Sequence, residues 1–170
     1  MGNTASGSDS SAFGVANTAS AAAANAFGNG NVASAANTTA VGQGNIANAT
    51  NASAFGQSNT ASGKNSIAAG VLNTANASNA SAIGQNNTAS NLDSQAIGLA
   101  NTASGLLGQA FGTNNTASGQ QTVTFGITRA CLQLGVSLRK NGTESNAEPC
   151  SYDVSAPACW GFPNQLSSDS

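Results

Sequence analysis

Titratable side chains are almost missing from most of this chain. Residues 1–126 carry only Asp9, Lys64 and Asp93 as charges, and histidine is absent throughout. General acid–base chemistry needs titratable groups side by side, and these three lie far apart in sequence. A serine or threonine nucleophile would have no base to take its proton. Catalysis is therefore not expected. What the residues do offer is hydrogen bonding and apolar contact, through hydroxyls, amides and methyl groups repeated at a fixed interval. With a net charge of −2 and no basic stripe, the chain has nothing to neutralise phosphates, so nucleic acid is not an expected partner. Cys131, Cys150 and Cys159 match no zinc spacing, so neither a metal nor a cofactor is expected. They allow one disulfide and one odd thiol, with the pairing open.

The interval is 14 residues. Glycine recurs at Gly14, Gly28, Gly42, Gly56, Gly70, Gly84, Gly98, Gly112 and Gly126. Asparagine keeps the same step from Asn3 to Asn115, alanine follows it by two from Ala5 to Ala117, and a second alanine precedes each glycine by two from Ala12 to Ala110. Thr124 takes that last place in the final copy. Composition alone would permit disorder, since Ala, Asn, Ser, Thr and Gly are poor core formers. A locked phase argues instead for identical units stacked along an axis. Fourteen residues are too few for a helical pair and suit a coil of two short strands and two turns, with glycine or small residues at the corners. The fold expected is all-β: a parallel β-roll, or β-solenoid, of about nine coils.

A weaker seven-residue echo runs inside each coil, as in Ala52-Ser53-Ala54-Phe55-Gly56 beside Asn59-Thr60-Ala61-Ser62-Gly63. Strand side chains alternate between faces, so the invariant Asn and Ala should point inward. The asparagines are expected to form a ladder, because an unpaired buried amide is costly. Glycine at the coil end fits a positive φ. Two outward rows follow. One pairs Thr4, Thr18, Thr60, Thr74, Thr88, Thr102 and Thr116 with Ser6, Ser20, Ser34, Ser62, Ser90, Ser104 and Ser118, interrupted by Val32 and Ile46 among the threonines and Asn48 and Asn76 among the serines. With rungs ~4.8 Å apart this is a flat, uncharged grid roughly 40 Å long, the candidate binding face. The other row is Phe13, Phe27, Val41, Phe55, Ala69, Ile83, Ile97, Phe111 and Phe125. Facing outward, it would exceed the apolar patch a soluble monomer exposes and would be covered in a homo-oligomer. With the opposite parity it would be core. Both parities remain open at this stage.

The β-roll is expected over residues 1–126. From Ala130 to Leu138 apolar residues alternate with Cys131, Gln133, Gly135, Ser137 and Arg139, which reads as a strand with one apolar face. Residues 127–140 are expected to cap the last coil, and 141–170 to form an irregular tail. No apolar run approaches the ~20 residues of a membrane-spanning helix. The N-terminus enters the repeat at Asn3 without a secretory signal, so export would be signalled elsewhere or the chain would be a segment of something longer. Sequons such as Asn48-Ala49-Thr50 are expected by chance in so Asn-rich a chain.

The motifs Asn65-Ser66-Ile67-Ala68-Ala69-Gly70 and Asn79-Ala80-Ser81-Ala82-Ile83-Gly84 resemble the head repeat of trimeric autotransporter adhesins, the haemagglutinin-like repeat family. Over residues 1–126 the resemblance implies a left-handed parallel β-roll, three of which associate into a head at the cell surface or in the extracellular space, holding host or abiotic surfaces. No neck, stalk or anchor motif accompanies it, and the cysteine-bearing tail is foreign to that family. The half-repeat Asn59-Thr60-Ala61-Ser62-Gly63 also resembles the repeats of grass ice-binding proteins. That likeness implies the alternative, an antifreeze protein adsorbing to ice through the Thr/Ser rows. A plain structural spacer would show no preferred face.

Overall fold

The computed structural model describes residues 2–131, with side chains through Ile127. Every described element is a strand. Eight short strands hold two residues each: β1 (Thr4–Ala5), β3 (Thr18–Ala19), β5 (Val32–Ala33), β7 (Ile46–Ala47), β9 (Thr60–Ala61), β11 (Thr74–Ala75), β13 (Thr88–Ala89) and β15 (Thr102–Ala103). Between them run longer strands: β2 (Ser11–Val15), β4 (Asn25–Asn29), β6 (Thr39–Gln43), β8 (Ser53–Gln57), β10 (Ile67–Val71), β12 (Ser81–Gln85) and β14 (Gln95–Leu99). In the last coils β16 (Gln109–Ala117) and β17 (Val123–Cys131) run unbroken through the corner.

All pairing is parallel and joins residues 14 apart. Phe55 faces Val41 on one side and Ala69 on the other, and Thr74 lies between Thr60 and Thr88. Like residues therefore stack in columns along the axis, as the repeat predicts. The register persists past residue 126, with Thr113 opposite Ile127 and Ala117 opposite Cys131. The cap expected over 127–140 thus begins as the continuation of a rung. Its remainder, the 141–170 tail, and Cys150 and Cys159 lie outside the described residues.

The interior is a double file of alanines. Ala19 through Ala117 from the short strands and Ala26 through Ala110 from the long ones are fully buried. Small side chains at these positions let the two sheets pack closely; in the last copy Thr124, also buried, takes the place of the alanine. Alanine also buries little apolar area, about one CH₂ equivalent at ~0.8 kcal/mol. Cross-coil hydrogen bonds must therefore carry much of the cohesion.

Two corners close each coil, and each uses a residue in the left-handed region. These residues fall seven apart: Asn51, Ser58, Asn65, Leu72, Asn79 and Asn86 have φ between 54° and 60°. This is the physical origin of the seven-residue echo. Most N–H groups donate forward to the next coil, as Thr60 does to the Asn73 carbonyl at 2.8 Å. At the left-handed positions the peptide reverses and donates backward, Leu72 to Gln57 and Asn65 to Thr50.

The invariant glycine stands elsewhere than expected. Gly56 is the fourth residue of β8 and not a corner residue, although its φ of 110° is positive. A Cβ there would strike the carbonyl oxygen of Gly70 in the next coil. Close backbone approach between rungs, together with the extended positive φ, imposes glycine inside the strand.

Candidate interaction surfaces

The buried asparagines form the expected ladder and hold the outer faces rigid. Asn59 is fully buried, and both its backbone N–H and its Nδ2 donate to Oδ1 of Asn45 in the preceding coil, at 3.0 and 2.9 Å. Nδ2 also reaches the carbonyls of Phe55 (2.8 Å) and Gly70 (2.7 Å). Its own Oδ1 accepts from the N–H and Nδ2 of Asn73. The same set recurs from Asn17 to Asn101. Each amide thus spans three coils and ties corner to strand. Among the described residues the ladder ends on Asn115, whose Oδ1 has no partner, and the next rung carries Arg129 in its place.

On the short-strand side the Thr/Ser grid points outward. Thr18, Thr60, Thr74, Thr88, Thr102 and Thr116 are half-buried by their own neighbours; Ser20, Ser90 and Ser118 are exposed, Ser62 and Ser104 half-buried. Every residue of the Thr column, Val32 and Ile46 included, is β-branched and so stiff at χ1. From Thr60 to Thr116 five consecutive rungs present a hydroxyl that bonds to nothing else among the described residues.

On the long-strand side the apolar column also faces out. Phe13 is 76% and Phe125 64% exposed; Phe55 and Ile83 are exposed too, while Phe27, Val41, Ile97 and Phe111 are half-buried between their rungs. Phe111 and Phe125 stack with ring centroids 4.9 Å apart. The core parity is therefore not the one adopted. Alanines fill the interior and leave no room for this row.

One feature was not anticipated from the repeat. At the opposite corner a second, exposed ladder links Asn37, Asn51, Asn65 and Asn79, each Nδ2 donating to the Oδ1 one coil on, and closes on a carboxylate oxygen of Asp93 at 2.9 Å. Its signal was present as a 14-residue Asn run in a second phase, hidden by Ala23 before it and Leu107 after it. No group of three or more His, Cys, Asp or Glu among the described residues could hold a metal. No described helix is long and apolar enough to cross a membrane.

Comparison with curated protein sequences finds no match. The family model of the YadA head domain repeat matches residues 24–45, 47–73 and 75–99. These segments begin and end inside the solenoid, and the coils on both sides continue them in the same 14-residue register. Within residues 24–99 the β-solenoid of this chain is thus similar to the YadA head domain repeat, in keeping with the adhesin-head resemblance of its motifs.

Proposed function

We propose that the chain is a non-enzymatic attachment module, the head portion of a trimeric surface adhesin, working at the cell surface or outside the cell. The observation that carries this reading is the outward apolar column from Phe13 to Phe125 on a scaffold of adhesin-type head repeats. Nine in-register apolar rungs form a continuous stripe of a kind that a soluble monomer seldom leaves open. Three copies packed with this stripe toward a common axis would cover it. The hydroxyl-bearing Thr/Ser grid would remain on the outside to contact a host or abiotic surface. Sedimentation velocity at micromolar concentration is expected to give a trimer. A monomer at every concentration would remove the trimeric head from consideration.

A second reading is favoured by one specific observation, the run of rigid, unpaired hydroxyls from Thr60 to Thr116. An uncharged grid of stiff methyls and hydroxyls with ~4.8 Å rungs is suited to ordering water, and so to adsorbing on ice. Thermal hysteresis, or faceting of a single ice crystal, tests it. Substitution of Thr74→Tyr and Thr88→Tyr should abolish either effect, and hysteresis absent from the unsubstituted chain would exclude the reading.

A further inference from the structure

Asparagine is abundant in this chain, and its side-chain amide has a spontaneous chemistry that needs no enzyme. The backbone nitrogen of the following residue attacks the amide carbon Cγ and closes a cyclic imide. We infer that Asn29, and no other asparagine among the described residues, is a site of this self-modification. It converts with time to aspartate and to the isomer linked through the side-chain carbonyl.

Three conditions select it. The next residue must lack a Cβ that shields its nitrogen, and Asn29 alone among the described asparagines is followed by glycine. The buried ladder from Asn17 to Asn115 is followed at every rung by Thr, Val or Ile, whose branched Cβ crowds the approach. The amide must also be free to turn. Nδ2 of Asn59 is held by Asn45, Phe55 and Gly70, and the corner amides from Asn37 to Asn79 donate to the rung ahead. Asn29, by contrast, ends β4, is exposed, and its side chain bonds to nothing among the described residues. Last, the attacking nitrogen needs room to move. Gly30 lies half-buried at a corner with φ 65°, and apart from its chain neighbours nothing comes within 4 Å of where a Cβ would stand. Its N–H is held by the carbonyl of Val15 at 2.9 Å, and Val15 is itself exposed.

The step needs only water as co-reactant. The Gly30 nitrogen gives its proton to solvent and bonds to Cγ of Asn29; the Cγ–Nδ2 bond breaks, and Nδ2 takes up a proton and leaves as ammonia. Water then opens the imide at either carbonyl. Both products place a carboxylate in residues 10–63, a stretch that carries no charge, two positions from Phe27 of the apolar column. The side-chain-linked product also adds an atom to the backbone of a coil paired residue for residue with both neighbours. It therefore pulls that corner out of step, the bond from Gly44 N–H to the Asn29 carbonyl included.

The test incubates the full chain, folded and in urea, at mildly alkaline pH, and maps the products by peptide mass, the exchange of an amide for an acid marking each converted residue. In the folded chain Asn29 should convert ahead of every other described asparagine, and a share of the product should accept methyl groups from an isoaspartyl methyltransferase. Asn141-Gly142, outside the described residues, is mapped separately. Gly30→Ala should lose the conversion at Asn29; alanine is tolerated there, since Ala16 and Ala100 hold the same corner at φ 56° and 55°. Asn29→Gln repeats Gln43 and Gln57 of the next two coils, so it should keep the thermal midpoint while the acidic species disappears from ion exchange. Asn29 left intact in the folded chain over a period that converts it in urea would overturn the inference. So would another described asparagine converting as fast, or conversion that persists in G30A.

Discussion

Two asparagine ladders run along this solenoid, made of the same side chain at the same 14-residue interval. One is buried and donates toward the N-terminus, Asn59 to Asn45; the other is exposed and donates toward the C-terminus, Asn51 to Asn65. In the buried ladder each amide meets its neighbours and two backbone carbonyls, and no water competes for them. In the exposed ladder each amide makes a bond to the rung ahead, in water, on a corner whose left-handed backbone already favours asparagine. Repetition of a residue therefore says that its position recurs, and burial decides how much depends on it. Leaving a buried acceptor unpaired costs about 1–3 kcal/mol, while a solvated hydrogen bond contributes about 1 kcal/mol or less.

The contrast can be broken most severely at the glycine that the buried ladder grips. Gly70→Ala forces a Cβ into the carbonyl oxygen of Gly84 at φ 117°, beside the Asn73 amide. It should cost about 4 kcal/mol or more and lower the denaturation midpoint sharply, or leave the chain insoluble. Next in size is Asn59→Ala, which strips partners from Asn45 Oδ1, the Phe55 and Gly70 carbonyls and the Asn73 amide together. A loss of about 3–5 kcal/mol in urea unfolding is expected. Asn65→Ala, the equivalent change in the exposed ladder, removes one donor and one acceptor from water-accessible bonds and trades a tolerated left-handed residue for a poorer one. About 1 kcal/mol should be lost, and a cost equal to that of Asn59→Ala would erase the distinction between the ladders. Smallest is Ser90→Ala on the outer grid, expected within about 0.5 kcal/mol by the same measurement.

Much of this architecture was legible in the residues. The phase of Gly, Asn and Ala announced a stacked coil, and the inward Asn and Ala followed from alternation along a strand. The glycine was harder. A positive φ was foreseeable, but its place inside β8 was not, because the constraint comes from the carbonyl of the neighbouring rung and not from a turn. The corner ladder escaped because its phase is occupied by Asn in only four coils and by Asp, Ala, Leu or Gln in the others. The direction of the Phe13–Phe125 row was undecided for a related reason. Both parities satisfy alternation, and only the fit of a ring beside Ala54 and Ala61 rules one out.

What the sequence determined by itself was the translation: a unit of 14, repeated without slippage, so that like residues lie above like. Periodicity is a property of the linear chain, and parallel stacking merely copies it into space. Only the tertiary structure decided which stripe is interior and which corners are left-handed. Those depend on how far apart two sheets lie and how the chain turns between them, and such distances are set by packing across coils that no local pattern records.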